Sequence, residues 1–500
     1  MSVSCDQSNR TPCPSQKRIS LACSYATGLD LDADVNSHNK VVACYVAGWS
    51  AYRPNNGAFT VDNIDPMLCT HIIYAFAGLD NVTYSIKSLD SFLDTEEGGG
   101  RGQYKKVMNF KKKQPRLKVT IAIGGWNEGS GKYSDMAGTA ENRKLFIDSV
   151  LAFIKKHGFD GLDMDWEYPG SRAGSSPLDR ENFALLLKEI RTEFDKSGLI
   201  LTAAIGAAPQ TINRAYDVPA ITQHLHYIHI MAYDYHGSWD FQIGHNAPLR
   251  LPVNSSTVDL ELRLSVEDTI TYLMKLGASP EKLVVGIPFY GRTFTLVDKN
   301  LRDIGSASNG TGFQGPYTRE DGFLGYNEIC KELGMKKEGN EWVEQWDDVA
   351  QVPYMFNGEK WVSFDNQRSV AIKARYAFNQ GLGGLMVWAI DNDDFMPECS
   401  TVRYPLLRAI NAELKAASSD SMKPGQAPVP PKSKDSNSNP NSGHENKPGQ
   451  TSDTTSSEES DNVIDHGHNK SGQASGIKGF SLNLLLCVLT PVIFTFSILH

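Results

Sequence analysis

Between Lys40 and Leu414 the chain alternates short apolar segments, rich in β-branched residues, with longer segments of helical periodicity. Near-continuous apolar runs of this kind are typical of parallel strands that are covered on both faces. Eight such runs occur, at 41–49, 70–79, 118–126, 159–167, 199–207, 227–237, 282–291 and 381–391. Eight strands with intervening helices predict an α/β fold, a (β/α)8 TIM barrel.

The segments on either side of the fourth strand carry helix start and stop signals. Before it, apolar residues recur at intervals of three and four, and Gly158 follows as a stop. After it, Ser176 and Pro177 are typical of an N-cap and a first helical residue, and Gly198 follows the last apolar position. Both segments are therefore predicted to be helices of the barrel's outer ring.

The connection after the seventh strand is too long for a barrel loop. Residues 295–361 contain their own turns, aromatic residues and Cys330. We predict that they form an inserted α+β subdomain between strand 7 and strand 8, which rises from the top of the barrel and forms one wall of a cleft.

Three segments lie outside the predicted catalytic barrel at 40–414. Residues 1–39 form a poorly defined leader that lacks the apolar run of a secretory signal, and an incomplete or alternative start would account for this. Residues 415–479 are mostly Ser, Pro, Asn, Lys and Asp, and they predict a low-complexity stalk because they offer little to bury. Residues 480–500 are an uncharged hydrophobic run.

The hydrophobic run predicts membrane attachment. Small residues at 471–476 and a short polar spacer precede it, which is the layout of a glycolipid (GPI) attachment signal. A plain single-pass transmembrane anchor is the alternative. Both interpretations place the globular part outside the cell. Asn-x-Ser/Thr triplets, the acceptor sites of N-glycosylation, occur at Asn9, Asn81, Asn254, Asn309 and Asn469.

Charge and cysteine spacing exclude some classes of partner. The net charge of -9 comes without a dense basic stripe, which argues against a nucleic-acid partner. The eight cysteines show no metal-binding spacing, and no metal or cofactor is predicted. The four in the globular region suit two disulfides, whereas Cys5, Cys13, Cys23 and Cys487 receive no role. We expect a monomer.

The fourth strand contains four acidic residues, Asp160, Asp163, Asp165 and Glu167. Same-face residues on a strand lie about 6.5–7 Å apart, so the last three share a face that points into the barrel. Asp160 has the other parity and is predicted to be structural. The opposite face is predicted to be buried because it carries Leu162, Met164 and Trp166.

Three inward carboxylates cannot all stay charged at neutral pH, because like charges in a desolvated site raise one another's pKa. A carboxyl group that stays protonated is what a general acid requires. Glu167 comes last on the strand and is therefore predicted to lie nearest the mouth of the barrel. A hydrated acidic edge and a magnesium or calcium site are the alternatives.

Aromatic residues at the strand ends predict a sugar-binding cleft. Trp49, Trp126, Trp239 and Trp388 fall at or just beyond predicted strand ends, the edge where such barrels place their active sites. Flat aromatic faces stack on the C–H faces of sugar rings. Hydrogen-bonding side chains predicted at the same edge are Tyr45, Tyr52, Tyr233, Tyr290 and Arg292.

These segments resemble glycoside hydrolase family 18, and within it the animal chitinases. The family signature Asp-x-x-Asp-x-Asp-x-Glu stands here as DGLDMDWE at 160–167. CYVAGW, LCTHIIYAFAG, IAIGGWN, MAYDYHGSW, VVGIPFYGRTF and GGLMVWAID follow the order found in the family. The resemblance spans about Lys40 to Leu414.

The resemblance implies hydrolysis of the β-1,4 bonds of chitin or chito-oligosaccharides without an enzymatic nucleophile. Glu167 would protonate the glycosidic oxygen while the sugar's own N-acetyl oxygen attacks the anomeric carbon, giving an oxazolinium intermediate and net retention. Asp165 would orient the acetamide N–H, Asp163 would share its proton, and Tyr233 would hydrogen-bond the acetamide carbonyl.

The resemblance also implies disulfides and sugar-binding residues. Cys44 would pair with Cys69, and Cys330 with Cys399. The implied sugar-binding residues are Tyr45, Trp49, Gly124, Gly125, Trp126, Asn127, Tyr168, Met231, Ala232, Asp234, Trp239, Tyr290, Arg292, Glu320 and Trp388.

Two other functions are compatible with the resemblance. The first is a catalytically silent chitin-binding lectin or growth-factor-like protein, but silent members typically lose the glutamate that is present here as Glu167. The second is hydrolysis of the chitobiose core of glycoproteins, which suits an aromatic-lined, walled cleft less well than a long polymer does.

Overall fold

The computed structural model describes residues 34–252, 259, 263–335 and 341–421. Most of the predicted leader and stalk and the whole hydrophobic run lie outside the described residues, as do Asn9, Asn254, Asn469 and the four cysteines without an assigned role. No helix in the described parts of the chain is long and apolar enough to cross a membrane.

Within these ranges the chain forms fourteen strands. They are β1 (Val41–Ala47), β2 (His71–Leu79), β3 (Ile86–Ser88), β4 (Lys118–Gly124), β5 (Gly161–Asp165), β6 (Ile200–Gly206), β7 (Tyr227–Met231), β8 (Leu283–Pro288), β9 (Tyr290–Thr295), β10 (Phe323–Gly325), β11 (Val343–Asp347), β12 (Val352–Asn357), β13 (Lys360–Ser363) and β14 (Gly384–Trp388).

The α-helices of the described residues lie mainly between these strands. They are α1 (Ser91–Asp94), α2 (Gln103–Asn109), α3 (Gly131–Gly138), α4 (Ala140–His157), α5 (Asp179–Asp195), α6 (Pro209–Ala215), α7 (Val218–His224), α8 (Val266–Lys275), α9 (Tyr326–Gly334), α10 (Gln367–Asn379) and α11 (Pro405–Ser421). Short 3-10 helices that matter for the cleft are Gly48–Tyr52, Trp126–Glu128 and Ile390–Asn392.

Eight of the strands close into a parallel barrel. Their order is β1, β14, β8, β7, β6, β5, β4 and β2, and β2 pairs with β1 to complete the ring. The short strand β3 adds to β2 in antiparallel orientation. The (β/α)8 barrel predicted from the apolar runs is confirmed, and the fourth predicted strand is β5.

The main apolar core lies between the barrel and the helices. Leu162, Met164 and Trp166 are buried in it, as predicted for the outward face of β5. Helix α4 ends at His157, and Gly158 is its left-handed C-cap, also as predicted. Helix α5 begins at Asp179 rather than at Pro177. The buried Asp179 carboxylate accepts hydrogen bonds from the backbone N–H groups of Gly170 and Ser176, which holds residues 170–178 in a loop.

The seventh predicted strand, 282–291, is in fact two strands. Strand β8 ends at Pro288, and β9 begins at Tyr290 and leaves the barrel to pair with β10 and β13. Together with β11 and β12 they form a five-stranded antiparallel sheet in the order β10-β9-β13-β12-β11, accompanied by α9. The inserted subdomain is therefore α+β, and its sheet runs from Tyr290 to Ser363, wider than the predicted 295–361.

Covalent and polar contacts join this subdomain to barrel loops. A disulfide links Cys330 of α9 to Cys399 in the loop after β14, and a second links Cys44 of β1 to Cys69. Both pairs are those implied by the resemblance. In the loop after β7, His245 Nε2 lies 3.1 Å from a carboxylate oxygen of Asp347 on β11.

The packed core extends beyond the predicted barrel bounds at both ends. Val35 is buried in the core, and His38 hydrogen-bonds Asn411 of α11 at 2.9 Å, so part of the predicted leader packs on the barrel. Helix α11 continues past Leu414 to Ser421 because Ala417 is also buried.

Candidate active site

The three inward acidic residues lie at the carboxyl end of β5. Asp163 is fully buried and Asp165 is 3% exposed, while Glu167 lies just past the end of the strand and is partly exposed. Asp160, at the base of β5, accepts hydrogen bonds from Lys111 Nζ and from the backbone N–H of Val119. The structural position predicted for Asp160 is confirmed.

Three donors from other strands surround the Asp163 carboxylate. The Tyr45 hydroxyl donates to Oδ2 at 2.5 Å, and the Thr202 hydroxyl donates to Oδ1 at 2.5 Å. His229 Nδ1 lies 2.9 Å from Oδ1. Tyr45 was a predicted site residue, whereas Thr202 and His229 were not. Their signal is a polar side chain at an inward-facing position of an otherwise apolar strand.

Asp165 combines a fixed backbone with a carboxyl oxygen that has no hydrogen-bond partner among the described residues. Its carbonyl oxygen accepts a 2.8 Å hydrogen bond from the backbone N–H of Gly125. A Cβ atom on Gly124, which has φ of +123°, would lie 2.0 Å from the same oxygen, so only glycine fits there. Among the described residues, nothing hydrogen-bonds the buried Oδ1 of Asp165.

Burial is the main cause that raises the pKa of both outer carboxyl groups, and nearby negative charges add to it. Burial, then the charge of Glu167 and then that of Asp163 raise the pKa of Asp165 well above its usual range. Burial raises the pKa of Glu167 to about 7. A hydrogen bond with Tyr168 opposes this rise, the negative charge of Asp234 adds a smaller increase, and the charge of Arg172 lowers the pKa least. Glu167 can therefore hold a proton near neutral pH, as predicted from the acidic strand.

A pocket of about 230 Å³ opens beside Glu167. It is lined by Tyr168, Met231, Tyr233 and Asp234, all predicted site residues, and by Gly206, Ala207, Ala208, Thr211, Tyr235 and Leu264. The Tyr233 hydroxyl contacts the Met386 sulfur at 3.9 Å, and a thioether is a weak acceptor. This hydroxyl therefore remains able to donate a stronger hydrogen bond to a ligand.

Asp234 connects the pocket to the inserted subdomain. One of its carboxylate oxygens accepts from the Tyr290 hydroxyl at 2.6 Å and from Arg292 Nε at 2.7 Å. The Arg292 guanidinium lies 5.0 Å from the centre of the Trp239 ring, which is half exposed. The structure thus brings four predicted binding residues together along one side of the cleft.

Trp388 lies at the centre of a cluster that we call the aromatic floor, formed by Tyr45, Trp49, Phe76 and Trp388. The Trp388 ring centre is 5.4 Å from Tyr45, 6.2 Å from Trp49 and 5.8 Å from Phe76. Trp49 is 49% exposed, so the floor reaches the surface of the cleft. Phe76 was not predicted, because it resembles the other apolar residues of its strand.

Trp126 lies in the short helix after β4 and is 59% exposed. The Arg172 guanidinium stacks 3.9 Å from its ring centre and donates to the carbonyl oxygens of Trp126 and Glu167. Arg172 was not predicted. Asn127 is exposed in the same short helix as Trp126.

Three residues predicted to bind the sugars do not present a free side chain beside the other site residues. Ala232 is fully buried in the core between barrel and helices, so its side chain does not reach the cleft. The Tyr52 hydroxyl already donates to Asp90 at 2.6 Å. Glu320 is exposed. Its negative charge is close enough to favour the charged form of Arg292, but no ion pair joins the two side chains within the described residues.

The acidic residues of β5 do not form a compact metal-ligand set. Within the described ranges, the only three potential ligands with atoms within 4.8 Å of one another are Cys330, Asp394 and Cys399. Those two cysteines are joined in a disulfide and are not free to bind an ion.

Comparisons with known proteins agree with this geometry. Residues 41–393 match the family model described as Glycosyl hydrolases family 18. "Probable chitinase 2" of Drosophila melanogaster is 50% identical over 401 residues, which cover 75% of this chain and 80% of the relative.

Two solved structures add information on ligands. The Ostrinia furnacalis Group IV chitinase in complex with allosamidin superposes with a TM-score of 0.72 and 45% identity, over 76% of this chain and 99% of the other. Human YKL-39, described as a pseudo-chitinase with retained chitooligosaccharide binding, superposes with a TM-score of 0.68 and 34% identity, over 75% of this chain and 99% of the other.

Proposed function

This chain belongs to glycosyl hydrolases family 18 and is a glycoside hydrolase, and we propose that it is a chitinase acting by a retaining, substrate-assisted mechanism with Glu167 as the general acid and base. The substrate would be chitin or a chito-oligosaccharide, bound without a metal or cofactor.

One observation carries the proposal: two buried carboxyl groups with raised pKa values, two residues apart, lie at the carboxyl end of one barrel strand. Glu167, with its pKa raised to about 7, borders the open pocket. The neighbouring Asp165 is buried with Oδ1 unpaired among the described residues. An unpaired buried acceptor costs free energy, so this oxygen is suited to accept an N–H donor from a ligand.

The reaction would begin with transfer of the Glu167 proton to the glycosidic oxygen. The N-acetyl oxygen of the sugar would attack the anomeric carbon, and the bond to the leaving sugar would break. Asp165 would accept the acetamide N–H and stabilise the positive oxazolinium intermediate. The Tyr233 hydroxyl would donate to the acetamide carbonyl oxygen. Glu167, now ionised, would then take a proton from the water that opens the intermediate.

Asp163 would support Asp165 through its negative charge. The donors Tyr45, Thr202 and His229 fix the orientation of Asp163 from three strands. The sharing of a proton between Asp163 and Asp165 is part of this proposal.

The cleft suits a polymer of N-acetylglucosamine. Trp388 of the aromatic floor would stack on the sugar at the cleaved bond, and Trp49, Trp126 and Trp239 would bind neighbouring sugars. Hydrogen bonds to the sugars would come from Asp234, Tyr290 and Arg292, on the side of the cleft that carries Trp239. A silent chitin-binding protein, as YKL-39 is described, is less well supported, because Glu167 is present and has the raised pKa of an acid catalyst.

The decisive experiment incubates the protein with N-acetylglucosamine oligomers and follows product lengths and anomers over time. Retention predicts that the β-anomer is released first. Binding without any cleavage would favour the silent chitin-binding function instead.

We further propose that the protein is a monomer on the outer cell surface, held there by a glycolipid attached near residues 471–476. The two disulfides agree with an oxidising compartment. The hydrophobic run at 480–500 after small residues supports the attachment signal.

A further inference from the structure

The junction between β1 and β14 lacks ladder pairing at its upper end. Their register runs from Val41 opposite Gly384 to Cys44 opposite Val387 and stops there. Above this point each strand remains paired only on its other side, β1 with β2 and β14 with β8. Trp388 ends β14, and Trp49 follows β1, so two rings of the aromatic floor lie on opposite sides of this junction.

An ion pair crosses the junction at this height. Arg53 Nη1 lies 2.8 Å from Oδ2 of Asp391 but is not aligned for a hydrogen bond to it, and it donates instead to the Asp391 carbonyl oxygen at 3.3 Å. The other carboxylate oxygen, Oδ1, accepts from the backbone N–H of Ala47, the last residue of β1, at 3.1 Å. Arg53 follows the short helix that carries Trp49, and Asp391 lies in the short helix after Trp388.

The environment of this pair favours a positioning role. Asp391 is fully buried, and the Arg53 side chain is only 11% exposed. Buried ion pairs often stabilise a fold no better than apolar side chains of similar size, because both charges lose their hydration. The directional contacts here are the two hydrogen bonds that Asp391 accepts from the Ala47 N–H and from Arg53, and they join the two backbone segments that carry Trp49 and Trp388.

The helix that carries Trp49 is also fastened to the rest of the cleft. The Ser50 hydroxyl donates to the Ala47 carbonyl oxygen at 2.6 Å, and the neighbouring Tyr52 hydroxyl donates to Asp90 in the loop after β3. These contacts fix the helix to β1 and to the β3 loop. The contacts of Arg53 and of the Ala47 N–H with Asp391 connect the same helix to the segment after β14.

We propose that Arg53 and Asp391 are positioning residues that hold Trp49 and Trp388 at the spacing needed to bind successive sugars of the substrate. This inference rests on the proposed chitinase function and adds a determinant of oligosaccharide affinity. Because neither side chain belongs to the acidic group of β5, the pair sets binding and leaves the proton chemistry unchanged.

The test uses Arg53→Lys and Asp391→Asn, each made in the full chain carrying Glu167→Gln so that binding is measured without hydrolysis. Titration with the N-acetylglucosamine tetramer, followed by tryptophan fluorescence and calorimetry, gives Kd. We expect Kd to rise about tenfold in both variants, since small displacements of binding groups have effects of this order. In chains that retain Glu167, KM should rise likewise and the pH dependence of kcat should stay that of the parent.

Arg143→Lys is the matched control. Arg143 is similarly buried, pairs with Glu189 and donates to the Ala137 carbonyl oxygen, but it lies between outer helices. It should lower the melting temperature without changing Kd. If Kd stays within twofold of the parent in both test variants, the positioning inference is wrong, even if both variants have lower melting temperatures. The proposed function would be unaffected by that result. If the parent does not bind the tetramer and the protein with Glu167 does not cleave it, the proposed function falls and this inference with it.

Discussion

The Tyr45 hydroxyl on β1 donates a 2.5 Å hydrogen bond to Oδ2 of Asp163 on β5, across the interior of the barrel. Both side chains are buried, and Tyr45 also packs edge-on against Trp388 of the aromatic floor. One phenol therefore connects the acidic residues with the surface on which we expect the sugar to stack.

We expect Tyr45→Phe to lower kcat while leaving the fold intact. A hydrogen bond to a charged group contributes about 1.5–3 kcal/mol, which corresponds to a loss of about ten- to a hundredfold in rate if the bond acts in the transition state. Steady-state kinetics on N-acetylglucosamine oligomers measure the change. Tyr74→Phe is the control, because its hydroxyl donates to buried Asp94 outside the site. An equal loss of kcat in both variants would contradict the role of Tyr45.

Glu167→Gln should abolish hydrolysis and keep binding. General acid catalysis contributes about 10²- to 10⁴-fold, so turnover should fall by at least that range, whereas the Kd for oligomers should stay within about twofold. Asp160→Asn is the control, because it removes an acidic group of the same segment that lies at the base of β5. It should change the stability of the protein and leave kcat unchanged. Substantial turnover by Glu167→Gln would show that another group donates the proton.

The pH profile should show an alkaline limb near neutrality. Glu167 acts as an acid only while protonated, and its pKa is raised to about 7, so kcat/KM should fall as pH rises through that value. Asp234→Asn removes a negative charge that raises this pKa, so the limb should move to lower pH. Asp148→Asn, at an exposed pair with Lys144, should leave the limb in place. A limb that does not move in Asp234→Asn would argue against this electrostatic coupling.

The disulfide between Cys330 and Cys399 should stabilise the inserted subdomain on the barrel. Replacing both cysteines by alanine should lower the free energy of unfolding by about 2–4 kcal/mol, as loss of such cross-links typically does. Denaturant unfolding of the parent and the double variant measures the difference. The matching double replacement of Cys44 and Cys69 shows whether the effect is particular to the subdomain, since that bridge lies at β1.

The tail predicts release of the protein from cells by phosphatidylinositol-specific phospholipase C. The full chain would be expressed behind a secretion leader, and the surface-bound and released fractions would be compared by immunoblot before and after the enzyme. A known glycolipid-anchored protein in the same cells shows that the phospholipase is active. Retention of this chain on the membrane, under conditions that release the control, would favour a transmembrane anchor.

Much of the site could be predicted from strand parity. The two-residue spacing of Asp163, Asp165 and Glu167 places all three on one face, and their position late in a strand places them at the active-site end. Thr202 and His229 could not be found this way, because their contact with Asp163 depends on the register between strands. Arg172 was missed for a similar reason, since a loop residue shows its stacking partner only after the chain has folded.

Other errors came from competing local signals. Ser176 and Pro177 are a good helix start by residue type, but the buried Asp179 binds the backbone of that segment and delays the helix. The run 282–291 is apolar throughout, and its division at Phe289 becomes visible only because β9 pairs with a sheet formed by residues further along the chain. Long-range pairing of this kind leaves little trace in local pattern.

The contact of Gly124 and Gly125 with the Asp165 carbonyl oxygen bears on the entropy of substrate binding. The carbonyl group of Asp165 accepts a hydrogen bond from the Gly125 N–H and packs directly against Gly124. The peptide group after Asp165 therefore has no room to rotate. The acidic segment is thus already ordered before any sugar arrives. We therefore expect substrate association to carry little conformational entropy loss at the cleaved bond, and more of it at the exposed tryptophans of the rim.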